Sequence, residues 1–297
     1  MHRAYYTIKD IENLTGVKAH TLRMWEQRYH LLEPKRTENN VRYYDGNDLK
    51  FMLNVSFLNQ NGHKISRIAQ MNHDELVQLV RTTLSQISLN QHQVNALVVA
   101  MIYLDEVYFD KIISTNILQM GFEKTMIQII YPFLYRVGIL WTTDAISPAH
   151  EHFITGLIRN KIIVAIDGRM PEKNPHEKKF MLYLPAKEWH EIPLLFAYYI
   201  LKSRGHRVFY LGQNLPMPEV IRANQTQKAD YLLSIFTTEP NGEQVTEYVN
   251  AIAAELPDVQ ILLSGRQVFQ HKEYTPPKNI TFLFSIEDLI KIAEQTI

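Results

Sequence analysis

The chain has no cysteine, which excludes disulfides and thiolate metal sites and fits a reducing compartment. It has no unbroken apolar run of about 18 residues that could span a bilayer, and no charged-then-apolar leader. These absences predict a cytoplasmic protein with no membrane partner. There is no net charge, since 31 Lys and Arg balance 31 Asp and Glu. Also missing are a Gly-rich phosphate loop, a His-Glu-x-x-His zinc helix and a Ser-His-Asp grouping in usable context. The common enzyme signatures are therefore absent, and we expect a non-enzyme. The composition that remains is that of a globular protein, and 297 residues suffice for two or three domains.

The charge is unevenly placed. The first 67 residues carry an excess of four positive charges and the rest an excess of four negative ones. A basic N-terminal unit on a mildly acidic remainder points to a polyanion met by the first part alone. Residues 5–30 read as two short helices. Thr7 and Asp10 form a capping pair, Ile8, Ile11 and Leu14 share a face, and Gly16 stops the first helix. In the second, Leu22, Trp25 and Tyr29 face the first helix, while Lys18, His20, Thr21, Arg23, Gln27 and Arg28 form a polar face. This is a helix-turn-helix pattern, though an amphipathic hairpin with a solvated basic face would share it. Pro34 to Thr37, a turn at Glu38-Asn39-Asn40, and Val41 to Tyr44 then read as a small β-wing with basic and aromatic tips, suited to holding phosphates.

Tyr6-Thr7-Ile8, Gly16-Val17, Thr21 to Glu26, Arg28-Tyr29, Pro34, Arg36-Thr37 and Arg42-Tyr43-Tyr44 occur in the order of the MerR family of transcriptional regulators, which residues 4–70 resemble. The resemblance implies operator DNA as partner. Arg23, Arg28, Arg36, Arg42 and Tyr43 would be contacts, beside Lys18 and Thr21 on the same helix, with Leu22 and Trp25 in the core. The long heptad helix that often follows such a head is not evident.

Residues 73–168 are helical by period and read as a bundle. The helices expected are one around Leu76, Leu79 and Val80, then Val94–Tyr103, Phe109–Met120, Lys124–Leu140 and Ser147–Ile166. Trp141 ends one helix, and Glu151-His152 opens the next after nine intervening residues. This Trp-x9-Glu-His spacing resembles the cobalamin-binding MerR-type repressors, the CarH/LitR photoreceptors. It implies that Trp141, Glu151 and His152 line the upper face of a corrin. A buried Trp at a helix end beside an exposed Glu-His pair would give the same pattern.

After a polar linker that begins at Met170, Phe180–Leu184, a loop, Ile192–Lys202, a break at Gly205 and Arg207–Leu211 read as strand, loop, helix and strand. Tyr231–Phe236 and Ile261–Gly265 read as further strands, and Thr281–Ser285 with Glu287–Glu294 as a closing strand and helix. Glu188-Trp189-His190-Glu191-Ile192-Pro193 resembles the Asp/Glu-x-His-x-x-Gly signature of cobalamin-binding domains. That implies His190 as the lower cobalt ligand, with Glu188 accepting from its other ring nitrogen. Ser234 resembles the Ser of a Ser-x-Leu element and Ser264-Gly265 a Gly-Gly element, which make room for the nucleotide tail in that fold. Three residues depart from the pattern: Pro193 replaces Gly, Phe236 replaces Leu and Ser264 replaces Gly.

The expected architecture is multidomain α and α/β. A MerR-type winged helix-turn-helix spans 1–72, a helical bundle 73–170 and a Rossmann-like cobalamin-binding domain 178–297. The resemblance implies a homo-oligomeric repressor that holds its operator with adenosylcobalamin in the dark and releases it when light breaks the cobalt–carbon bond, after which His152 takes the upper position. Two alternatives stay open: a MerR-type regulator that uses its C-terminal part for protein contacts without cobalamin, and a corrinoid carrier module of a methyltransferase.

Overall fold

The structure, a computed structural model, describes residues 6–32, 34–36, 42–60, 62–86, 89–142, 146–169 and 176–295. It falls into two compact units, Met1–Ile154 and Thr155–Ile297.

In the first unit, α1 (Ile8–Thr15) starts at a capping box. Thr7 Oγ1 accepts from Asp10 N at 3.2 Å, and Asp10 Oδ2 accepts from Thr7 N at 2.7 Å. It stops at Gly16, whose φ of 76° suits glycine. Ile11 and Leu14 of α1 are buried, as are Leu22 and Trp25 of α2 (Ala19–Tyr29). The wing is present as β1 (Lys35–Arg36) paired antiparallel with β2 (Arg42–Tyr43). Its turn, Glu38-Asn39-Asn40, lies outside the described residues, together with Thr37 and Val41. Asp45 opens α3 (Gly46–Gln60) by accepting from Asn47 N at 2.9 Å and Asp48 N at 3.1 Å. There follow α4 (Ile65–Ile68), α5 (His73–Gln86), α6 (Leu89–Ile102) and α7 (Glu106–Met120).

The single helix expected over 124–140 is three pieces: α8 (Phe122–Thr125), a π-helical turn over Met126–Ile130, and α9 (Tyr131–Thr142). Pro132 explains the difference. It has no amide hydrogen, and in a regular helix its ring would press on the carbonyl of Gln128, so the chain widens by one turn before it. The last helix, α10 (Pro148–Asp167), opens after Ser147, whose amide donates to His150 Nδ1 at 3.1 Å. The boundary between the units falls within α10.

The second unit is built on five parallel strands in the order β4-β3-β5-β6-β7. They are β3 (Lys179–Pro185), β4 (Arg207–Leu215), β5 (Tyr231–Ile235), β6 (Gln260–Ser264) and β7 (Ile280–Phe282). The helices are α11 (Ile192–Ser203), α12 (Met217–Gln227), α13 (Gln244–Glu255), α14 (Arg266–Gln270) and α15 (Ile286–Gln295). β3 reads as an unbroken apolar run because it lies inside the sheet with both faces covered, and Phe180 to Leu184 are wholly buried. Chains fold this way because each buried side chain of that size contributes roughly 1.5–3 kcal/mol.

β4 runs on past its expected end at Leu211, since Gly212 (φ 79°) takes up a register shift against β3. β7 ends before Ser285 because the amides of Phe284 and Ser285 turn to the Asp288 carboxylate at 3.0 and 2.9 Å, capping α15. The linker beginning at Met170 lies outside the described residues as far as Pro175. The chain leaves β3 to one side for β4 and returns to its other side for β5. That reversal makes a crevice at the carboxyl ends of β3 and β5, where ligands bind in open α/β sheets. Among the described residues, no helix is long and apolar enough to cross a membrane.

Candidate functional site

The head presents its basic residues outward. Lys18 at the start of α2, Arg23 and Arg28 within it, and Arg36 and Arg42 of the wing are exposed, while Thr21 and Tyr43 are half-buried. Lys18 pairs with Glu12 at 3.2 Å, and Arg28 lies 5.5 Å from the Tyr29 ring centroid. Behind this face, Tyr44 is wholly buried and its hydroxyl donates to the buried Glu26 of α2. Burial, reinforced by the Glu26 carboxylate, pushes the Tyr44 phenol well up, so it remains a donor. The wing is thereby tied to the second helix of the motif, as groove reading with phosphate holding requires.

In the second unit the loop after β3 carries Glu188 and His190. Glu188 has no solvent exposure. Its Oε1 accepts from Trp189 N and His190 N, both at 2.9 Å, and lies 2.6 Å from His190 Nδ1. Its Oε2 accepts from the amides of Thr237 (2.9 Å), Thr238 (2.6 Å) and Glu239 (3.0 Å), which follow β5. Burial alone would raise this carboxyl. The hydrogen bonds from His190, Glu239 and Thr238 outweigh it and hold the group well below the usual carboxylate range.

An ionised carboxylate only accepts, so Glu188 holds a proton on His190 Nδ1, and in the neutral imidazole that tautomer leaves Nε2 as the ligating nitrogen. The His190 side chain is 47% exposed, so an imidazole oriented through its Nδ1 is displayed at the mouth of the crevice. That is the donor chemistry a cobalt ion in a corrin ring requires of a lower ligand. Neighbouring Glu191 is held by Arg159 at 2.7 Å and by the Tyr210 hydroxyl at 2.9 Å.

The strand ends beneath are closed by the chain itself. Ser234 and Phe236 are wholly buried, and Phe236 packs edge-on against Tyr248 at 5.3 Å. Ser264 Oγ donates to Leu283 O at 2.8 Å. At Gly265 (φ 105°) an added Cβ would fall 2.7 Å from the Phe236 carbonyl carbon, so this glycine serves a backbone approach within the domain. Ser234 Oγ lies beside the Tyr183 hydroxyl without hydrogen-bond geometry and has no partner among the described residues. The residues thus fit a corrin at His190, whereas the ends of β5 and β6 are filled by side chains of this chain.

Trp141 lies in the last turn of α9 and is 42% exposed, so it is not the buried helix-end Trp that the alternative reading required. Glu151 is half-buried and His152 exposed in the first turn of α10. These three belong to the first unit, and Glu188, His190, Ser234, Ser264 and Gly265 to the second.

Two families match the sequence. The one described as MerR HTH family regulatory protein covers residues 6–75, and the one described as B12 binding domain covers 93–165. This chain joins a MerR-type DNA-binding head to a B12-binding domain. It is homologous to the HTH-type transcriptional repressor CarH of Myxococcus xanthus, at 23% identity over 85% of each chain. Homology extends to the repressor CarA of the same organism, at 24% identity over 97% of this chain and 96% of that one. Among solved structures, the monomethylamine corrinoid protein of Methanosarcina barkeri superposes with a TM-score of 0.54 at 15% identity, covering 70% of this chain and all of that one. That likeness speaks for the fold alone. A winged helix-turn-helix, a helical domain and a Rossmann-like domain are the architecture, and the chain is a DNA-binding transcriptional regulator linked to cobalamin.

Sequence reasoning missed the second half of the Glu188 cage. Thr237, Thr238 and Glu239 act there mainly through backbone amides, which leave no side-chain signature. Arg159 and Tyr210, which fix Glu191, were missed as well.

Proposed function

We propose that this regulator is a cobalamin-controlled repressor in which His190 Nε2 is the lower ligand of cobalt and Glu188 fixes its tautomer. Trp141, Glu151 and His152 would cover the upper face. The caged Glu188–His190 pair at the crevice carries the reading, because a buried, ionised carboxylate that accepts from Nδ1 orients an exposed imidazole as a metal-ligating histidine is oriented. Adenosylcobalamin is the proposed form, and when bound it supplies a light-labile cobalt–carbon bond. Lys18, Thr21, Arg23, Arg28, Arg36, Arg42 and Tyr43 would hold operator DNA, with the regulator acting as a homo-oligomer. The domain limits proposed are 1–72, 73–170 and 178–297.

The test is an absorbance titration with adenosylcobalamin in the dark, repeated after green light, on wild type and His190→Ala. A saturable spectral change, altered by light and weakened in the variant, is expected. No binding by the wild type would sink the reading.

A second reading, a regulator that answers to a protein and not to cobalamin, is favoured by one observation. Phe236 stands wholly buried where the cobalamin-binding signature has the smaller Leu. Wild-type protein that stays colourless at saturating cobalamin while retaining salt-dependent promoter binding would favour it.

A further inference from the structure

Within the first unit, a cavity of about 140 Å3 separates α1 and α3 of the DNA-binding head from α6, α7 and α9. It adjoins a second of about 330 Å3, with Leu53, Asn54, Val99 and Tyr108 lining both. Its walls include Leu14, Phe57, Val80 and Ala96, and its polar lining includes Arg136, His92, Asn95 and Asn54.

Arg136 is the unusual member. Its guanidinium is half-buried, and among the described residues it makes one hydrogen bond, from Nη2 to Leu14 O at 3.0 Å, and no ion pair. Among the described residues, none lining the inner cavity is acidic. A partly desolvated charge with no counter-charge is unfavourable unless something supplies one. The nearest acid on the outer cavity, Asp105, is engaged at its own helix start by Tyr108 N at 2.9 Å. Burial lowers His92, which is therefore neutral near pH 7 and able to donate one hydrogen bond. Among the described residues, the side chains of His92, Asn95 and Asn54 have no hydrogen-bond partner.

A positive fork, several unused donors and apolar walls suit one ligand chemistry. We propose that this crevice binds a small organic carboxylate with an apolar body, as a second ligand site distinct from that at His190. The carboxylate would take the Arg136 fork, with Asn95 and His92 donating to it, and the apolar body would rest against Leu53, Val99 and Ala96. Arg136 already reaches the last turn of α1, so a ligand there would bear directly on the helix that supports α2.

The test uses the full-length chain and benzoate as probe, with benzamide as its neutral counterpart and inorganic phosphate as an anion without an apolar body. Calorimetric titration at constant ionic strength should give saturable benzoate binding, with benzamide and phosphate weaker by about tenfold or more. Arg136→Met should weaken benzoate by a similar factor. Asn95→Leu, which keeps the Arg136–Leu14 bond, should weaken it by a smaller one and serves if the first variant does not fold. Absence of saturable benzoate binding by the wild type would overturn the proposal. So would phosphate binding as tightly as benzoate, or benzoate affinity unchanged in a folded variant at either position.

Discussion

Glu188 Oε1 lies 2.6 Å from His190 Nδ1, and the same carboxylate's Oε2 lies 2.6 Å from the amide of Thr238, fifty residues further on. One side chain thus orients the exposed imidazole and clamps the loop after β3 to the loop after β5. Glu188→Ala would leave the Thr237, Thr238 and Glu239 amides without their acceptor. The expected loss is about 3 kcal/mol or more, from several donors each worth roughly 1–3 kcal/mol when orphaned. Urea unfolding of the apo protein measures it. Glu188→Gln should lose less stability but about tenfold or more in cobalamin affinity, because the amide no longer enforces the Nδ1–H tautomer.

The same carboxyl sets a pH dependence. Its folded pKa lies below the free value of about 4.3, so its stabilisation is fully present above that value. It is lost as pH falls below about 4 toward the folded pKa, because the unfolded state then binds the proton first. Stability measured from pH 7 to pH 3 should drop more steeply in wild type than in Glu188→Gln. Equal slopes would show that the cage contributes no linkage.

Local features were legible because their causes are local. The Thr7–Asp10 box and the stop at Gly16 each depend on residues within three or four positions. β3 was legible because a central parallel strand must be apolar throughout. The π-helical turn before Pro132 was not, since proline announces a disturbance without saying whether the helix breaks or widens. At the site, Glu188 and His190 were visible as a short spacing, but the Thr237–Glu239 amides reach them only through the sheet topology. The contact of Arg136 with Leu14 spans 122 positions and joins two regions read as separate domains.

Gly265 and Gly121 both have positive φ, 105° and 84°, but differ in surroundings. At Gly121 an added Cβ meets nothing within 4 Å, whereas at Gly265 it meets the Phe236 backbone. Gly121→Ala should therefore cost only the backbone strain of its positive φ, about 1–3 kcal/mol. Gly265→Ala adds a clash that shifts β6 against the loop after β5, and should cost about 3–4 kcal/mol. Thermal unfolding of the two variants, side by side, separates strain from collision.

In the head, Arg42 on the wing and Arg23 on α2 are both exposed, yet their expected roles differ. Arg42→Ala should weaken binding to specific and random DNA alike and reduce the salt slope by about one, the signature of a phosphate contact. Arg23→Ala should cost about 1–3 kcal/mol on the operator and much less on random DNA if it meets a base edge. Equal losses on both DNAs would assign Arg23 to the phosphates.

Ser234 separates a structural from a ligand role most sharply. A buried hydroxyl without a partner opposes folding, so Ser234→Ala should leave stability unchanged or raise it by up to about 1 kcal/mol. If the hydroxyl is retained for a corrinoid whose nucleotide displaces Phe236 or Tyr248, the same variant should bind cobalamin about tenfold more weakly while cobinamide, which lacks the nucleotide, binds unchanged. If both corrinoids lose nothing, the closed strand ends are the true state of the domain. The nucleotide would then lie outside them, and His190 would hold the ring alone.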